Sequence, residues 1–514
     1  MSRMPLFVAA AVTLLITGCS SLPSLEGRTA SSALADTAGT RLGVAIAPRV
    51  AAYPGKTGTH GMPNPDDAFA ARVLLATATE KSLDAQYFLW NGDQVGYLLF
   101  EALWQAAERG VRVRLLLDDI NTSGLDPTIA ALDAHPNIEV RLYNPLVRRN
   151  AHGLNFLTDF ARVNRRMHNK SFTADNQVSV VGGRNISNEY FGAGNGIGFA
   201  DLDVLAVGQA VTDVSKEFDV YWNSPSAYPA ASMVGVAGTE ATANLKAVFS
   251  ATRADPESAA FLDVVRKTPL VSDLLNGRIA FEWTTAKVLY DDPAKTLDTE
   301  ARTDVLLFPK LVRTIGQPEK ALDLVSPYFV PGDDGAAALG ALSRKGVKVR
   351  ILTNSLAASD EKSVHAGYAK HRKDLLRAGV QLYELKPTAA QHSGEKDHRY
   401  GKSSSSALHA KTFAVDRERM FVGSFNFDQR SALLNTEMGL VLDSPAAAQR
   451  LAAFFDAEAP LAAYEVRLTP DGGDLEWIEQ TSSGSTRYDT DPGTSWFLRM
   501  KVNILSILPI EWLL

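Results

Sequence analysis

The chain has 514 residues, too many for a single hydrophobic core, and length alone divides it into roughly two to four domains. Its 46% apolar and 21% charged residues are those of a globular protein, which excludes a disordered or fibrous chain. A formal net charge of −6 gives no electrostatic reason to expect a nucleic-acid partner, and the single cysteine excludes an internal disulfide.

Taken in order, the chain opens with Arg3 and an apolar run from Leu6 to Ile16, the length of a signal-peptide core and too short to span a bilayer. It ends in Leu15-Ile16-Thr17-Gly18-Cys19, which resembles the lipobox of bacterial lipoproteins. That resemblance implies a signal peptide over residues 1–18 and lipidation of Cys19, giving a periplasm-facing, membrane-anchored protein of the cell envelope. Ser20 leans toward the outer membrane. Residues 19–66, rich in Ser, Gly, Ala and Pro, read as a tether. A first α/β unit is expected over 67–222, with a helix at Ala68–Thr79, a buried strand at Ser82–Trp90, a helix at Gly96–Arg109 and a strand at Val111–Leu117. Residues 223–312 read as a connecting segment covering the outside, with one isolated strand at Arg278–Trp283. The order then repeats over 313–470. Leu322–Val330 matches the first strand, Lys345–Leu352 answers Arg109–Leu116, and Gly379–Tyr383 answers Asn137–Tyr143. A helix is expected at Ala446–Ala457. Residues 471–514 form a carboxyl-terminal extension whose close, Trp496–Leu514, reads equally as an interfacial segment or as a packed terminal helix. The fold class is therefore α/β, duplicated at the scale of a whole domain, with sheets that are parallel in part.

The duplication carries a motif. Residues 167–185 (MHNKSFTADNQVSVVGGRN) and 408–426 (LHAKTFAVDRERMFVGSFN) both fit H-x-K-(x)4-D-(x)6-G-x-x-N, and their histidines, His168 and His409, stand 241 positions apart. Five fixed positions matched at about 1 in 20 each give one accidental hit with odds on the order of 10⁻⁴ in a chain of this length. Residues two apart on a strand share a face, so His168 with Lys170, and His409 with Lys411, point into one cleft. Asp175 and Asp416 fall at turns before second strands at Val178–Val181 and Met420–Val422. Small residues then let Asn185 and Asn426 approach a ligand.

Two imidazoles, two ammonium groups and two carboxamides suit a phosphodiester. Lysines and asparagines supply donors to the non-bridging oxygens without a metal. One neutral imidazole can attack phosphorus while the other, protonated, gives its proton to the departing alcohol.

The doubled motif with its Gly-x-x-Asn extension resembles the phospholipase D superfamily, over essentially everything from Ala68 to Asp443. Strings such as NRRMHNKSF, GGRNISNEYF, FVGSFNFDQRS and the terminal LPIEWLL are similar to the C-type bacterial cardiolipin synthases. The resemblance implies two phospholipase D-like α/β domains related by a pseudo-twofold axis with the site at their interface, no cofactor, and phospholipid substrates at a membrane. It implies His168 as nucleophile and His409 as acid and base, with Lys170 and Lys411 on the phosphate beside Asn185, Asn426 and Ser424. Asp175 and Asp416 are then structural. The imidazoles are expected to be oriented by Glu437 and by either Asp201 or Asp203. The implied reaction is phosphatidyl transfer to phosphatidylglycerol, giving cardiolipin. Three alternatives stand beside it: hydrolysis to phosphatidic acid, a nuclease, and a non-catalytic lipoprotein that binds lipid or a partner.

The other histidines, His60, His135, His152, His392 and His398, read as ordinary core or surface residues. His365 and His371 lie in a basic stretch expected to form a solvated helix face. Acidic pairs at 118–119, 291–292 and 333–334 lack metal-ligand spacing and read as turns or strand ends, and the Gly-rich run Gly192–Gly198 reads as a flexible lid or turn near the site.

Overall fold

The computed structural model describes residues 21–149, 151–193, 198–297, 302–387, 406–481, 484–509 and 511–514. The expected signal peptide, Cys19, the centre of the Gly192–Gly198 run, His392 and His398 lie outside the described residues.

Ten strands belong to the amino-terminal part: β1 (Thr57–Met62), β2 (Ser82–Tyr87), β3 (Arg112–Asp118), β4 (Ile138–Tyr143), β5 (Ser171–Ala174), β6 (Val178–Gly182), β7 (Gly198–Ala200), β8 (Asp203–Gly208), β9 (Ala227–Pro229) and β10 (Glu282–Thr284). Eleven follow: β11 (Ala286–Tyr290), β12 (Ala321–Val325), β13 (Lys348–Asn354), β14 (Gln381–Leu385), β15 (Ser406–Leu408), β16 (Lys411–Val415), β17 (Arg419–Gly423), β18 (Met438–Leu442), β19 (Ala463–Leu468), β20 (Leu475–Thr481) and β21 (Gly484–Tyr488). They form two large sheets, ordered β10-β1-β8-β6-β5-β2-β3-β4-β9 and β11-β18-β17-β16-β12-β13-β14-β19-β20-β21. Seven strands correspond one to one. In each sheet the three strands joined by helical crossovers are parallel and the motif hairpin is antiparallel.

The repeat extends to buried charges. Asp84 on β2 faces Arg114 on β3 at 2.7 Å, and Asp323 on β12 faces Arg350 on β13 at 2.5 Å, each in register. Each guanidinium also lies over a ring of a covering helix, Phe218 or Phe455, at 4.8 and 4.9 Å. A charge can be buried in a strand only when paired, so these couples pin the β2–β3 and β12–β13 registers. Helix ends are set locally. Asn64 caps Pro65–Ala78 and Asp93 caps Gln94–Glu108 through side-chain oxygens on exposed backbone N–H groups.

The connecting segment departs from its expected form. Helices Ala241–Ala254 and Pro256–Lys267 cover the first half, and in place of one isolated strand the chain supplies two edge strands. β10 pairs with β1 in the first sheet and β11 with β18 in the second, so the backbone crosses between sheets at Thr285. The halves share a core in which Val181 and Val204 of one meet Met420, Val422 and Met438 of the other. A short parallel pair, β7 with β15, adds a second seam.

Two further expectations are corrected. The tether is structured from Arg28 onward: its guanidinium donates to the carbonyls of Asn223, Ser224 and Ala227, and a helix follows at Arg41–Ala51. His365 and His371, on the helix Lys362–Arg377, are buried instead of solvated, because the carboxyl-terminal extension packs over them. His365 sits 3.6 Å from Asp491 and His371 3.3 Å from Glu511. The terminal helix Trp496–Ile507 buries Val502 beside Leu356 and Ala366, while Trp496, Phe497 and Ile507 face outward. Among the described residues no helix is long and apolar enough to cross a membrane.

Candidate active site

Each motif places its histidine just before a strand, where a partner from the opposite half receives it. The His168 N–H donates to the Thr436 carbonyl and the His409 N–H to the Ala200 carbonyl, both at 2.8 Å. The residue after each acceptor is a carboxylate. Glu437 Oε2 lies 2.8 Å from His168 Nδ1, and Asp201 Oδ2 lies 2.6 Å from His409 Nδ1. Each imidazole is thus oriented across the interface, with the Nδ1–H donating and Nε2 left for chemistry. Asp203 belongs elsewhere: it pairs with Arg72 at 2.9 Å.

The hairpins are tied down at their turns. Asp175–Asn176 and Asp416–Arg417 all have positive φ, between 50° and 60°, the geometry of a tight hairpin reversal. Asp175 accepts from the Thr79 hydroxyl and from the backbone N–H groups of Glu80, Lys81 and Ser82. Asp416 accepts from those of Glu319, Lys320 and Ala321. Both aspartates fasten the hairpin to the start of its neighbouring strand, far from the imidazoles. The glycines at the other end are steric requirements. A Cβ on Gly183 would stand 2.2 Å from Asp201 Oδ1, and one on Gly423 2.3 Å from the Met438 carbonyl oxygen.

Lys170 Nζ donates to the His168 carbonyl at 2.7 Å, and Lys411 Nζ lies about as close to the His409 ring nitrogens, 2.9 and 3.0 Å. All four side chains are buried. Burial, with Lys170 and Lys411 alongside, holds the His168 imidazole well below its ordinary value. Burial and Lys411 bring His409 down to about 4 against the pull of Asp201. Burial lowers Lys411 to about 8 and Lys170 well below its usual range. Burial works against ionised Asp201, but His409 and Lys411 outweigh it and hold the carboxyl down to about 2. Burial pushes the Glu437 carboxyl up to about 7 against the pull of Lys170 and of the Ser424 and Ser431 hydroxyls that donate to it. The two halves therefore offer unlike environments: a neutral imidazole at His168, and at His409 a ring facing a fully ionised carboxylate that can stabilise its charged form.

The expected phosphate ligands separate. The Asn426 side-chain oxygen is buried with no hydrogen-bond partner among the described residues; as an acceptor it cannot bind a phosphate oxygen, so only the amide nitrogen of Asn426 could donate to one. Asn185 donates to the Tyr190 hydroxyl at 2.9 Å and accepts from the Leu89 N–H. Ser424 does not present its hydroxyl to a phosphate: that group donates to the Glu437 carboxylate. The sequence reading also missed Tyr190, whose hydroxyl lies 3.3 Å from His409 Nε2, and the rings Phe88 and Phe199, packed 5.0 and 5.3 Å from the two imidazoles. Tyr190 has no twin, since the second motif carries Ser431 at that position, so the repeat could not reveal it. The string GGRNISNEYF was its only signal. Among the described residues no group of His, Cys, Asp or Glu could hold a metal ion.

Comparisons with known proteins fit this geometry. The family model described as cardiolipin synthase, PLD-like domain, matches residues 73–222 and 311–458, one stretch in each half. The chain is 46% identical over 474 residues to cardiolipin synthase C of Escherichia coli (strain K12), covering 92% of this chain and all of that protein. An uncharacterized protein of Helicobacter pylori (strain J99 / ATCC 700824) is 30% identical over 460 residues, 86% of this chain and 87% of that protein. Among solved structures, phosphatidylserine synthase of Haemophilus influenzae Rd KW20 has the same fold, with TM-score 0.52 at 13% identity over 89% of this chain and 95% of that one.

Proposed function

The chain belongs to the phospholipase D-like family of cardiolipin synthases, and from that membership we propose that it joins two phospholipids into cardiolipin through a phosphatidyl-histidine. It is a phospholipase D-type phosphatidyltransferase. His168 Nε2 attacks the phosphorus of the donor lipid while Nδ1–H stays on Glu437. The bond from phosphorus to the head-group alcohol breaks, and His409 gives that alcohol its proton. Lys170, Lys411 and Asn426 hold the non-bridging oxygens as charge builds on them. His409, now neutral, takes the proton from a glycerol hydroxyl of phosphatidylglycerol. That oxygen attacks phosphorus, the N–P bond breaks, and His168 is restored.

The observation that carries the assignment of roles is the exchange of carboxylates across the interface. Burial and Lys411 leave His409 at about 4 in the free site, but the ionised Asp201 pulls it upward, toward the charged state an acid needs, while His168, beside the weaker acid Glu437, is held neutral, the state a nucleophile needs. Phosphate anion binding opposes the two lysines and raises His409 toward its working range. Lipidation at Cys19 places the enzyme at the envelope membrane, facing the periplasm. Cys19→Ser tests this by abolishing incorporation of labelled fatty acid.

Lipid product analysis tests the reaction. Vesicles containing phosphatidylglycerol are expected to yield cardiolipin, and His168→Ala or His409→Ala to lower the rate at least ~10³-fold. Phosphatidic acid as the only product would replace transfer by hydrolysis, and activity surviving both changes would refute the mechanism.

A further inference from the structure

The carboxylates bias the roles of His168 and His409, but a carboxylate on Nδ1 makes an imidazole more basic as well as easier to charge. The ionised Asp201, 2.6 Å from His409 Nδ1, therefore also equips that ring to attack phosphorus. What holds it to proton transfer lies on the reactive side of the ring, where the two halves differ. Tyr190 Oη stands 3.3 Å from His409 Nε2, and the two rings meet edge to face with centroids 4.8 Å apart. The ring beside His168, at 5.0 Å, is Phe88, which has no hydroxyl. Ser431, at the Tyr190 position of the second motif, donates to Glu437 at 2.8 Å and so serves the carboxylate behind His168. Lys411 shares His409 Nε2 at 3.0 Å, but it has a counterpart in Lys170 and Tyr190 has none.

The phenol is buried and held in place. The Asn185 amide donates to its oxygen at 2.9 Å, and the Asn185 side-chain oxygen accepts from the Leu89 N–H at 3.3 Å. The Tyr190 carbonyl accepts from the buried Arg184 side chain at 3.3 Å, and Phe199 packs on the ring at 4.9 Å. Nearby, the Asn188 N–H donates to Asp93, and its side-chain oxygen accepts from the Val95 N–H. With Asn185 donating to Oη, the phenol's own proton is left for His409 Nε2 while that ring is neutral. Once the ring is charged, the same oxygen can accept from it. Attack at phosphorus needs the reacting atoms about 3–3.5 Å apart. On His409 the hydroxyl already stands at that distance, and a proton can cross a hydroxyl where a phosphorus atom cannot.

We propose that Tyr190 gates His409: its hydroxyl relays protons between Nε2 and the lipid alcohol and keeps phosphorus from that nitrogen, which leaves His168 as the nucleophile. The inference rests on the phosphatidyl-histidine reading of the site. As the P–O bond of the donor breaks, the departing oxygen takes the Tyr190 proton and Oη takes the proton of His409 Nε2, so that tyrosine and histidine both end neutral. For the acceptor the transfers run in reverse: the glycerol hydroxyl gives its proton to Oη, Tyr190 gives its own to Nε2, and the alcohol oxygen bonds to phosphorus. Burial pushes the phenol above its usual range, which favours coupled transfers without a phenolate.

Tyr190→Phe keeps the ring and removes the relay, and two substrates separate relay from packing. The alcohol leaving phosphatidylglycerol needs a proton, whereas p-nitrophenol leaves phosphatidyl-p-nitrophenol as an anion. In single turnover the variant is expected to lose at least ~10-fold more rate on the first substrate than on the second. Equal loss on both would make Tyr190 a structural residue and overturn the relay. The gate is read from where phosphorus settles when phosphatidyl-p-nitrophenol carries the label there. The unsubstituted enzyme is expected to be labelled on the His168 peptide, and His168→Ala on none. Adding Tyr190→Phe to His168→Ala is expected to put label on the His409 peptide. An unlabelled double variant, or label on His409 in His168→Ala alone, would overturn the gate, while label on His168 in the unsubstituted enzyme would still uphold the phosphatidyl-histidine. No label in the unsubstituted enzyme would remove that reading and this proposal with it.

Discussion

Lys411 is the residue whose titration is most exposed to experiment. Burial lowers its ammonium to about 8, so it carries its charge below that pH and gives it up above. In the proposed mechanism its charge serves the phosphate oxygens, and kcat/KM is therefore expected to fall as pH rises through about 8. Lys411→Arg keeps a charge that no accessible pH removes. That variant is expected to lose at least ~10-fold in rate, since a planar guanidinium does not reproduce the geometry of an ammonium, but its alkaline limb moves to higher pH. An alkaline limb still near 8 would assign the titration to another group. Histidine, lysine and motif aspartate were legible at this scale because spacing alone carries them. The orienting carboxylates were legible only as candidates. Asp201 and Asp203 are two positions apart, one just before β8 and one at its first residue, and which of them reaches His409 depends on where the other half sits, a fact no local pattern contains.

At the level of the elements, the hairpin ending in Gly182-Gly183 is shaped by what lies across it. The carboxylate of Asp201 occupies the space a Gly183 side chain would take, at 2.2 Å from the ideal Cβ. Gly183→Ala is therefore expected to push Asp201 off His409 and cut kcat by about 10²-fold or more with little loss of thermal stability, because the atoms nearest to an added Cβ belong to the Asp201 side chain and not to the backbone. Rate measurement beside a thermal melt checks this; a fully active variant would show that Asp201 is not the positioning group. Sequence periodicity placed the parallel strands and their helices to within a few residues, since these are fully buried runs between capped helices. It misjudged the elements whose surroundings are supplied from far along the chain. The helix of His365 and His371 reads as solvated on its own charge pattern, and only the packing of residues 491–513 upon it makes it buried. The strap from Arg28 looks like linker for the same reason: its partners are carbonyls about 195 residues away.

The molecule as a whole is held together by an interface that is partly polar and therefore sensitive to pH. Glu217 on the helix Gln209–Trp222 accepts from Asn169 at 2.7 Å and from Gln86, and Asn169 accepts in turn from Thr436 of the other half at 3.0 Å. Burial raises the Glu217 carboxyl to about 8, above the ordinary value it recovers on unfolding. The sign follows: its contribution to stability is full below about pH 4.5 and is lost as pH rises toward 8, at up to about 1.4 kcal/mol per pH unit. Glu217→Gln is isosteric and does not titrate, so it is expected to unfold at the higher denaturant concentration of the two at pH 8.5, with the difference shrinking or reversing at pH 5. A difference that does not change with pH would show that Glu217 is ionised in the folded protein. Duplication was visible at this scale from the paired motifs. The mutual dependence of the halves was not, because it lies in contacts that cross between them: Glu437 to His168, Asp201 to His409, and a backbone that leaves one sheet as β10 and enters the other as β11.

The central claim is that His168 carries the phosphatidyl group between donor and acceptor. Rapid-quench mixing of the enzyme with phosphatidylglycerol labelled at phosphorus, followed by proteolysis at alkaline pH where the N–P bond survives, measures this directly. The label is predicted on the peptide containing His168, forming faster than cardiolipin appears and discharged by further phosphatidylglycerol. Label on the His409 peptide would reverse the roles of the two halves, and cardiolipin formed with no labelled peptide would contradict a covalent intermediate altogether.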